Sequence, residues 1–151
     1  MKRQIFKIVF LSFLLVFTNS FSADILEEYE GIKDTISSET VTPSKNFFFV
    51  SSFSKVTSNE NIDIELNKQL AYSKLIEYLK RLVDWPKKIN AELKYALWNF
   101  HMNQKSFNFK KSQLVDNGKL GDLYYVIIGI PKDELFRHKI NYNQIINNLK
   151  E

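Results

Sequence analysis

His101 and His138 are the only imidazoles in the chain, and it contains no cysteine. Acid–base or metal chemistry would therefore have to use those two rings or carboxylates alone. Glu134 and His138 stand four positions apart, which on a helix places both on one face, as two ligands along one metal edge would be. Two ligands do not make a site. No HExxH pattern or second paired histidine accompanies them, so this spacing reads as an ordinary pair on a helix surface. His101, between Phe100 and Met102, reads as a packing residue at an element boundary. Asp116-Asn117-Gly118 with Asp122 offers the oxygens a hard cation prefers. It lacks the alternating acids and closing glutamate of an EF-hand and is expected to be a hairpin turn. No serine sits in a GxSxG elbow, no GxGxxG or GxxxxGK loop occurs, and the chain has only four glycines to build one. Glu77, Asp84 and Glu92 carry no spacing that sets two carboxylates across a cleft. No catalytic residue, metal or cofactor is expected, and the chain reads as non-enzymatic.

One run does combine residue types that bind. Lys105-Ser106-Phe107-Asn108-Phe109-Lys110-Lys111 interleaves aromatics with cations, the combination that stacks on rings and tracks anions. Lys105, Phe107, Phe109, Lys110 and Lys111 are the candidate binding surface. The competing reading makes the two phenylalanines core residues and the lysines a solvated strand end.

The setting of these residues is written at the start of the chain. Lys2, Arg3 and Lys7 precede an apolar run from Ile8 to Phe17, followed by the small and polar residues Thr18 to Ala23. That is the layout of a secretory signal peptide, with Ser20 and Ser22 suited to a cut before Ala23. The apolar core falls short of the ~20 residues needed to cross a bilayer, so no transmembrane anchor is expected after cleavage. Residues 1–22 are thus read as signal peptide, 23–45 as an acidic segment and linker, and 46–151 as one domain. Without cysteine there is neither a disulfide nor a lipid-bearing residue, and the domain must be held by its core.

The formal net charge of +4 misleads. Removing the signal segment leaves 18 bases against 17 acids, so the argument for a nucleic-acid partner fails and none is expected. What remains is an asymmetry: residues 23–65 carry nine acids and three bases, residues 66–151 eight acids and fifteen bases.

The elements that position these residues follow from periodicity. Ile25, Leu26, Tyr29, Ile32 and Ile36 recur at helical spacing among acids, predicting a short amphipathic helix. Ser37 to Lys45, with Pro43, reads as a linker. Asn46 to Val56 predicts a strand, and Thr57 with Glu60 a capping box. From Ile62 to Val83 a long helix is predicted, with Ile64, Ala71, Leu75, Tyr78 and Leu82 on one line and Pro86 beyond its end. A second helix is expected from Ile89 to about Leu97, while Trp98, Phe100 and Met102 also alternate as a strand would and leave the residues beyond Leu97 open. Phe107 to Val115 reads as a strand, Asp116-Asn117-Gly118 as its turn and Leu123 to Ile130 as a central strand. Pro131 to Glu134 reads as the start of a closing helix. The predicted fold is a two-layer α+β domain: a small, mostly antiparallel sheet against a long amphipathic helix and a C-terminal helix.

The stretch from Phe47 to Leu135 resembles the N-terminal domain of the flagellar assembly protein T and related small outer-membrane lipoproteins of Gram-negative bacteria. The likeness lies in the strand Phe48 to Val56, the helix Ile62 to Val83, the turn Lys119-Leu120-Gly121-Asp122, and Tyr124 to Ile128. The resemblance implies an envelope interaction module without catalytic residues. This chain differs in having Ala71 as the helix's only alanine, the additional segment Pro86 to Gln104, and no lipid-bearing cysteine. The sequence reading is thus a periplasmic or secreted interaction domain whose partner is another envelope protein. A small exported ligand-binding protein or enzyme, and a secreted effector or inhibitor, are the alternatives.

Overall fold

The computed structural model describes residues 23–36, 40–82, 89–101 and 104–137. The signal segment, His138 and the remainder of the expected closing helix lie outside the described residues. Four strands, β1 (Val41–Pro43), β2 (Phe47–Lys55), β3 (Gln113–Leu120) and β4 (Leu123–Pro131), form one sheet in the order β1-β2-β4-β3, antiparallel throughout. The helices are α1 (residues 23–36), α2 (Glu60–Leu82) and α3 (Ala91–His101), with a 3-10 turn at Gln104–Ser106. This is the expected α+β domain, a small antiparallel sheet carrying a long amphipathic helix.

Alternation along β2 and β4 sorts their side chains onto two faces. Val50 of β2 and Tyr124, Val126, Ile128 and Ile130 of β4 bury against Ala71, Leu75, Ile76 and Leu79 of α2, and Trp98, Phe107 and Leu135 complete that core. On the opposite face Phe47 and Phe49 meet Ile25, Tyr29 and Ile36 of α1, with Val115 and Ile127 beside them. The acidic segment therefore joins the same body, and α1 adds a layer beyond the two expected. Each fully buried apolar side chain contributes roughly 1.5–3 kcal/mol by leaving water, before the entropy of ordering is charged against it.

Two local features dock α1. Ile25 lies where Gly129 has no side chain: a Cβ there would come within 2.4 Å of Ile25 Cδ1. Glu28 accepts hydrogen bonds from the Asn46 backbone N–H at 3.1 Å, from Asn46 Nδ2 at 2.6 Å and from Ser44 Oγ at 2.5 Å. Burial pushes the Glu28 carboxyl up, but those donors outweigh it and hold its pKa below the ordinary value.

Several sequence readings change, and the strand expected from Phe107 to Val115 is one: Phe107 makes an isolated bridge, the chain turns at 110–111 and β3 begins only at Gln113. Val41–Pro43, expected in a linker, is the edge strand β1, paired to Val50, Phe49 and Phe48. The start of α2 is capped by Asn59, whose Oδ1 accepts from Asn61 N at 3.0 Å and Ile62 N at 3.4 Å. Glu60 instead accepts from the Tyr124 hydroxyl, and the buried Asp63 reaches back to the Thr57 N–H at 2.9 Å. The residues beyond Leu97, left open between helix and strand, continue α3 to His101. Asp116-Asn117-Gly118 is no turn. These residues lie inside β3, where Gly118 makes room for the Tyr125 ring, and the strand bulges between Leu114 and Asp116. The turn is the two-residue loop Gly121-Asp122, closed by Leu120 opposite Leu123, and Gly121 takes φ 64°, a left-handed value suited to glycine.

A further change is at Pro131, which ends β4 rather than starting a helix. Past it the backbone bonds elsewhere: Lys132 N–H to Asn46 O, Asn108 N–H to Leu135 O and Arg137 N–H to Ser106 O. A helix starting here would forfeit those bonds and the burial of Leu135.

Candidate functional site

The Lys105 to Lys111 surface is divided by the fold. Phe107 is fully buried in the α2-side core and bridges Phe136, so its ring is closed to a ligand. Phe109 is half-buried and stacks on Tyr72, with centroids 4.2 Å apart and planes 10° from parallel. The Tyr72 hydroxyl and Ser112 Oγ, 2.7 Å apart, fix that stack. Lys105, Lys110 and Lys111 are exposed, and Lys111 pairs with Glu134 at 2.5 Å. The aromatics thus point inward and the cations outward, without interleaving on one surface. A shallow depression beside them is lined by Asn108, Lys110, Glu134, Phe136 and Arg137.

The other candidates fall apart in similar ways. Glu134 follows β4 in a turn, and His138 lies outside the described residues. His101 ends α3. Asp116 accepts from the Tyr29 hydroxyl at 2.8 Å and from Tyr125 at 3.4 Å, tying α1 to β3 and β4. Burial and that carboxylate push the Tyr29 and Tyr125 hydroxyls up. Among the described residues no group of three or more His, Asp or Glu could hold a metal ion.

A polar seam joins α2 to β2 and β4. Asn67, fully buried, donates through Nδ2 to Ser54 Oγ at 2.7 Å and to the Asp63 carbonyl at 2.9 Å, while Ser52 Oγ donates to the Asn67 carbonyl at 2.7 Å. The Tyr124 hydroxyl shares its proton between Glu60 Oε1 at 2.8 Å and Asn117 Oδ1 at 2.6 Å. Burial, then the Glu60 hydrogen bond, push its pKa up to about 12. Apart from Asn67 Oδ1, which is buried without a partner, these groups bond to one another and fix α2 against β2 and β4.

The surface with unspent binding capacity lies on the flank of α2 toward β1. Ile62, Leu66 and Leu70 recur every four residues and remain 55%, 44% and 37% exposed, an apolar ridge on the helix. The ridge runs into a groove of about 580 Å³ between α2 and β1, lined among others by Val41, Leu70, Lys74, Glu77 and Arg81. Lys74 is half-buried there, and its Nζ donates to the Ser51 carbonyl at 3.2 Å. Burial pulls its pKa down.

Among the described residues, β1 and its flanks cover the sheet edge opposite Phe47 to Ser51. Ser51 N–H donates to Thr40 O and Ser44 N–H to Phe47 O, which fixes the phase of the β1–β2 ladder. In an antiparallel ladder alternate residues turn their main-chain groups to the same side. Phe47, Phe49 and Ser51 therefore face β1, and Phe53 and Lys55 face the same side past its end. Sequence reading missed this surface. Of the expected line, Ala71 and Leu75 are buried, Ile64 and Tyr78 are half-buried and Leu82 is exposed, and periodicity does not separate a covered flank from a bare one. That depends on β1 being three residues long.

No family model, no curated protein and no solved structure matches this chain.

Proposed function

We propose that this chain is an exported, non-enzymatic interaction domain of the bacterial envelope, periplasmic or secreted, that works by binding another protein. The observation carrying the reading is the exposed ridge Ile62, Leu66 and Leu70, which runs into the groove beside Val41. Three large apolar side chains aligned on one helix flank cost solubility, and such patches mark contact surfaces. A second exposed apolar group, Phe53 with Leu120 and Leu123, lies at the hairpin end of the α1 face. The signal-like start supports export, and the resemblance to envelope interaction modules points the same way.

The test has two parts. Cell fractionation with an antibody to the chain should place it in the periplasm or medium, with the first 22 residues absent by mass spectrometry of the intact protein. Photo-crosslinking from position 66 in the living cell should capture one dominant envelope protein, and Leu70→Glu should abolish that capture while leaving far-UV circular dichroism unchanged. Cytoplasmic retention, or a crosslinking pattern unaltered by Leu70→Glu, would refute the proposal.

A further inference from the structure

We infer that Asn117 is a modification site: in the unpaired chain its side-chain amide is lost through a cyclic imide with Gly118, the closed sheet prevents that loss, and the converted chain no longer completes the seam between β3, β4 and α2.

Packing puts these two residues side by side for separate reasons. Gly118 lies opposite Tyr125, and a Cβ there would stand 2.9 Å from Tyr125 Cε1 and 3.2 Å from Cζ, so the position excludes a side chain. Asn117 lies opposite Val126 on the α2 side of the sheet and meets the hydroxyl of the buried Tyr124 at 2.6 Å. That hydroxyl has one proton and also faces Glu60 Oε1 at 2.8 Å. An amide meets both demands: with Nδ2 turned to the hydroxyl oxygen, Asn117 donates to Tyr124 and Tyr124 donates to Glu60. The seam thus requires an asparagine at 117, and the sheet requires a glycine at 118.

Together they form the chain's one Asn-Gly step. The backbone nitrogen that follows an asparagine can attack its side-chain carbonyl carbon. A bond forms from that nitrogen to Cγ, the bond from Cγ to the amide nitrogen breaks, and ammonia leaves with the proton of the attacking N–H. Water then opens the imide at one carbonyl or the other, giving aspartate or isoaspartate. Glycine hinders the attack least, because it has no Cβ.

In the folded chain that attack is blocked on both sides. The two-residue loop makes Leu120 and Leu123 a hydrogen-bonded pair, so by alternation Gly118 and Tyr125 form the next, and the Gly118 N–H is held by the Tyr125 carbonyl. The Asn117 side chain is held at Tyr124, and the imide closes only if ψ at 117 leaves the extended range. Conversion therefore belongs to chains whose hairpin is open. Its product does not fit the seam. A carboxylate at 117 only accepts, so the Tyr124 proton would face two anionic acceptors, with the buried Asp63 carboxylate acting on the same hydroxyl. Lys119, on the same face of β3, is the exposed cation beside them. Isoaspartate also adds a methylene to the main chain, which breaks the pairing of Gly118 with Tyr125.

The test incubates the mature chain, folded in buffer or held in urea, at mildly alkaline pH and body temperature. Peptide mass spectrometry reads the amide-to-acid mass gain at Asn117, and enzymatic methylation of isoaspartate reads the isomer. In the fold the reaction waits for local opening, so conversion should be at least about tenfold slower than in urea. Asn117→Asp, the aspartate product itself, should lower the urea midpoint. Glu60→Gln in that background should recover most of the loss, because its amide takes over the donor role at Tyr124. Circular dichroism checks that each variant is folded, and where Asn117→Asp alone is unfolded, its combination with Glu60→Gln should fold. Equal conversion in buffer and urea, an undiminished midpoint for Asn117→Asp, or no recovery with Glu60→Gln would overturn the inference. The ridge on α2 takes no part in these readings, so their failure leaves the interaction reading untouched.

Discussion

Replacing Gly129 with alanine probes whether α1 is held against the sheet in the way that defines the second core. The new Cβ would stand 2.4 Å from Ile25 Cδ1, 2.8 Å from Ile25 Cγ1 and 3.1 Å from Phe49 Cε1. The terminal methyl can swing away, but Cγ1 is one bond from Cβ and follows only if χ1 or the helix itself moves. Ile25 and Phe49 are fully buried, so neither has free space to enter. Overpacking of this kind costs about 1–3 kcal/mol. With a urea m-value of roughly 2 kcal/mol/M, the unfolding midpoint should drop by about 0.5–1.5 M. Ile25→Ala alone should cost about 2–5 kcal/mol through the cavity it leaves. In that background the added methyl at 129 has room, and its cost should shrink to within about 0.5 kcal/mol, a coupling that a double-mutant cycle reads directly. Hydrogen exchange should show the amides of residues 23–36 opening in Gly129→Ala while those of α2 keep their protection. A Gly129→Ala cost that is the same in both backgrounds, or absent in both, would refute the docking of α1 on β4.

Three further outcomes are expected. Glu28 has a lowered pKa in the fold, so its contribution is present above the ordinary value of 4.5 and is lost as pH falls through the folded value. Denaturation curves across that range should show an acid-side decline that Glu28→Gln reduces, modestly because the carboxylate is largely solvated. Tyr124 has a raised pKa, about 12 against 10.0, so its contribution is intact below pH 10 and is lost as pH climbs toward 12. Absorbance titration should find its phenolate forming late, and Tyr124→Phe should flatten the alkaline loss while costing about 0.5–1.5 kcal/mol at neutral pH. Gly121→Val forces a β-branched residue to φ 64° and should destabilise by roughly 1–2 kcal/mol or more in urea melts, with Gly121→Asn milder.

Much of the fold was legible because its strongest signals are periodic. The stripe through Ala71 and Leu75 and the apolar run ending at Ile130 predicted α2 and β4 almost to the residue. Glycine was the weaker guide, since it serves two different needs. At Gly121 it accepts a left-handed backbone, and at Gly118 it makes way for the Tyr125 ring across the strand. Sequence alone does not say which need operates, so the Asn117-Gly118 pair drew the turn toward itself. Pro131 misled similarly, because a first-turn helix proline and a strand-ending proline share a fixed φ. The candidate site was the least legible part. Alternating Phe107 and Phe109 with lysines suggested one mixed surface, whereas burial of Phe107 depends on its bridge to Phe136, twenty-nine positions away. The bare flank of α2 depends on where β1 stops, which is a tertiary property with no local signature.

The strand order β1-β2-β4-β3 places the two central strands near opposite ends of the chain, with β2 at residues 47–55 and β4 at 123–131. Both cores are built on that pair, so neither can close until the last strand is available. Until then α1 and α2 have no sheet to lie on, and helices without a packing face are marginal in water. During synthesis, most of the polypeptide must leave the ribosome before its native state exists, and closing so long a loop delays it further. On the export proposed above, that interval keeps the chain unfolded for passage through a membrane pore.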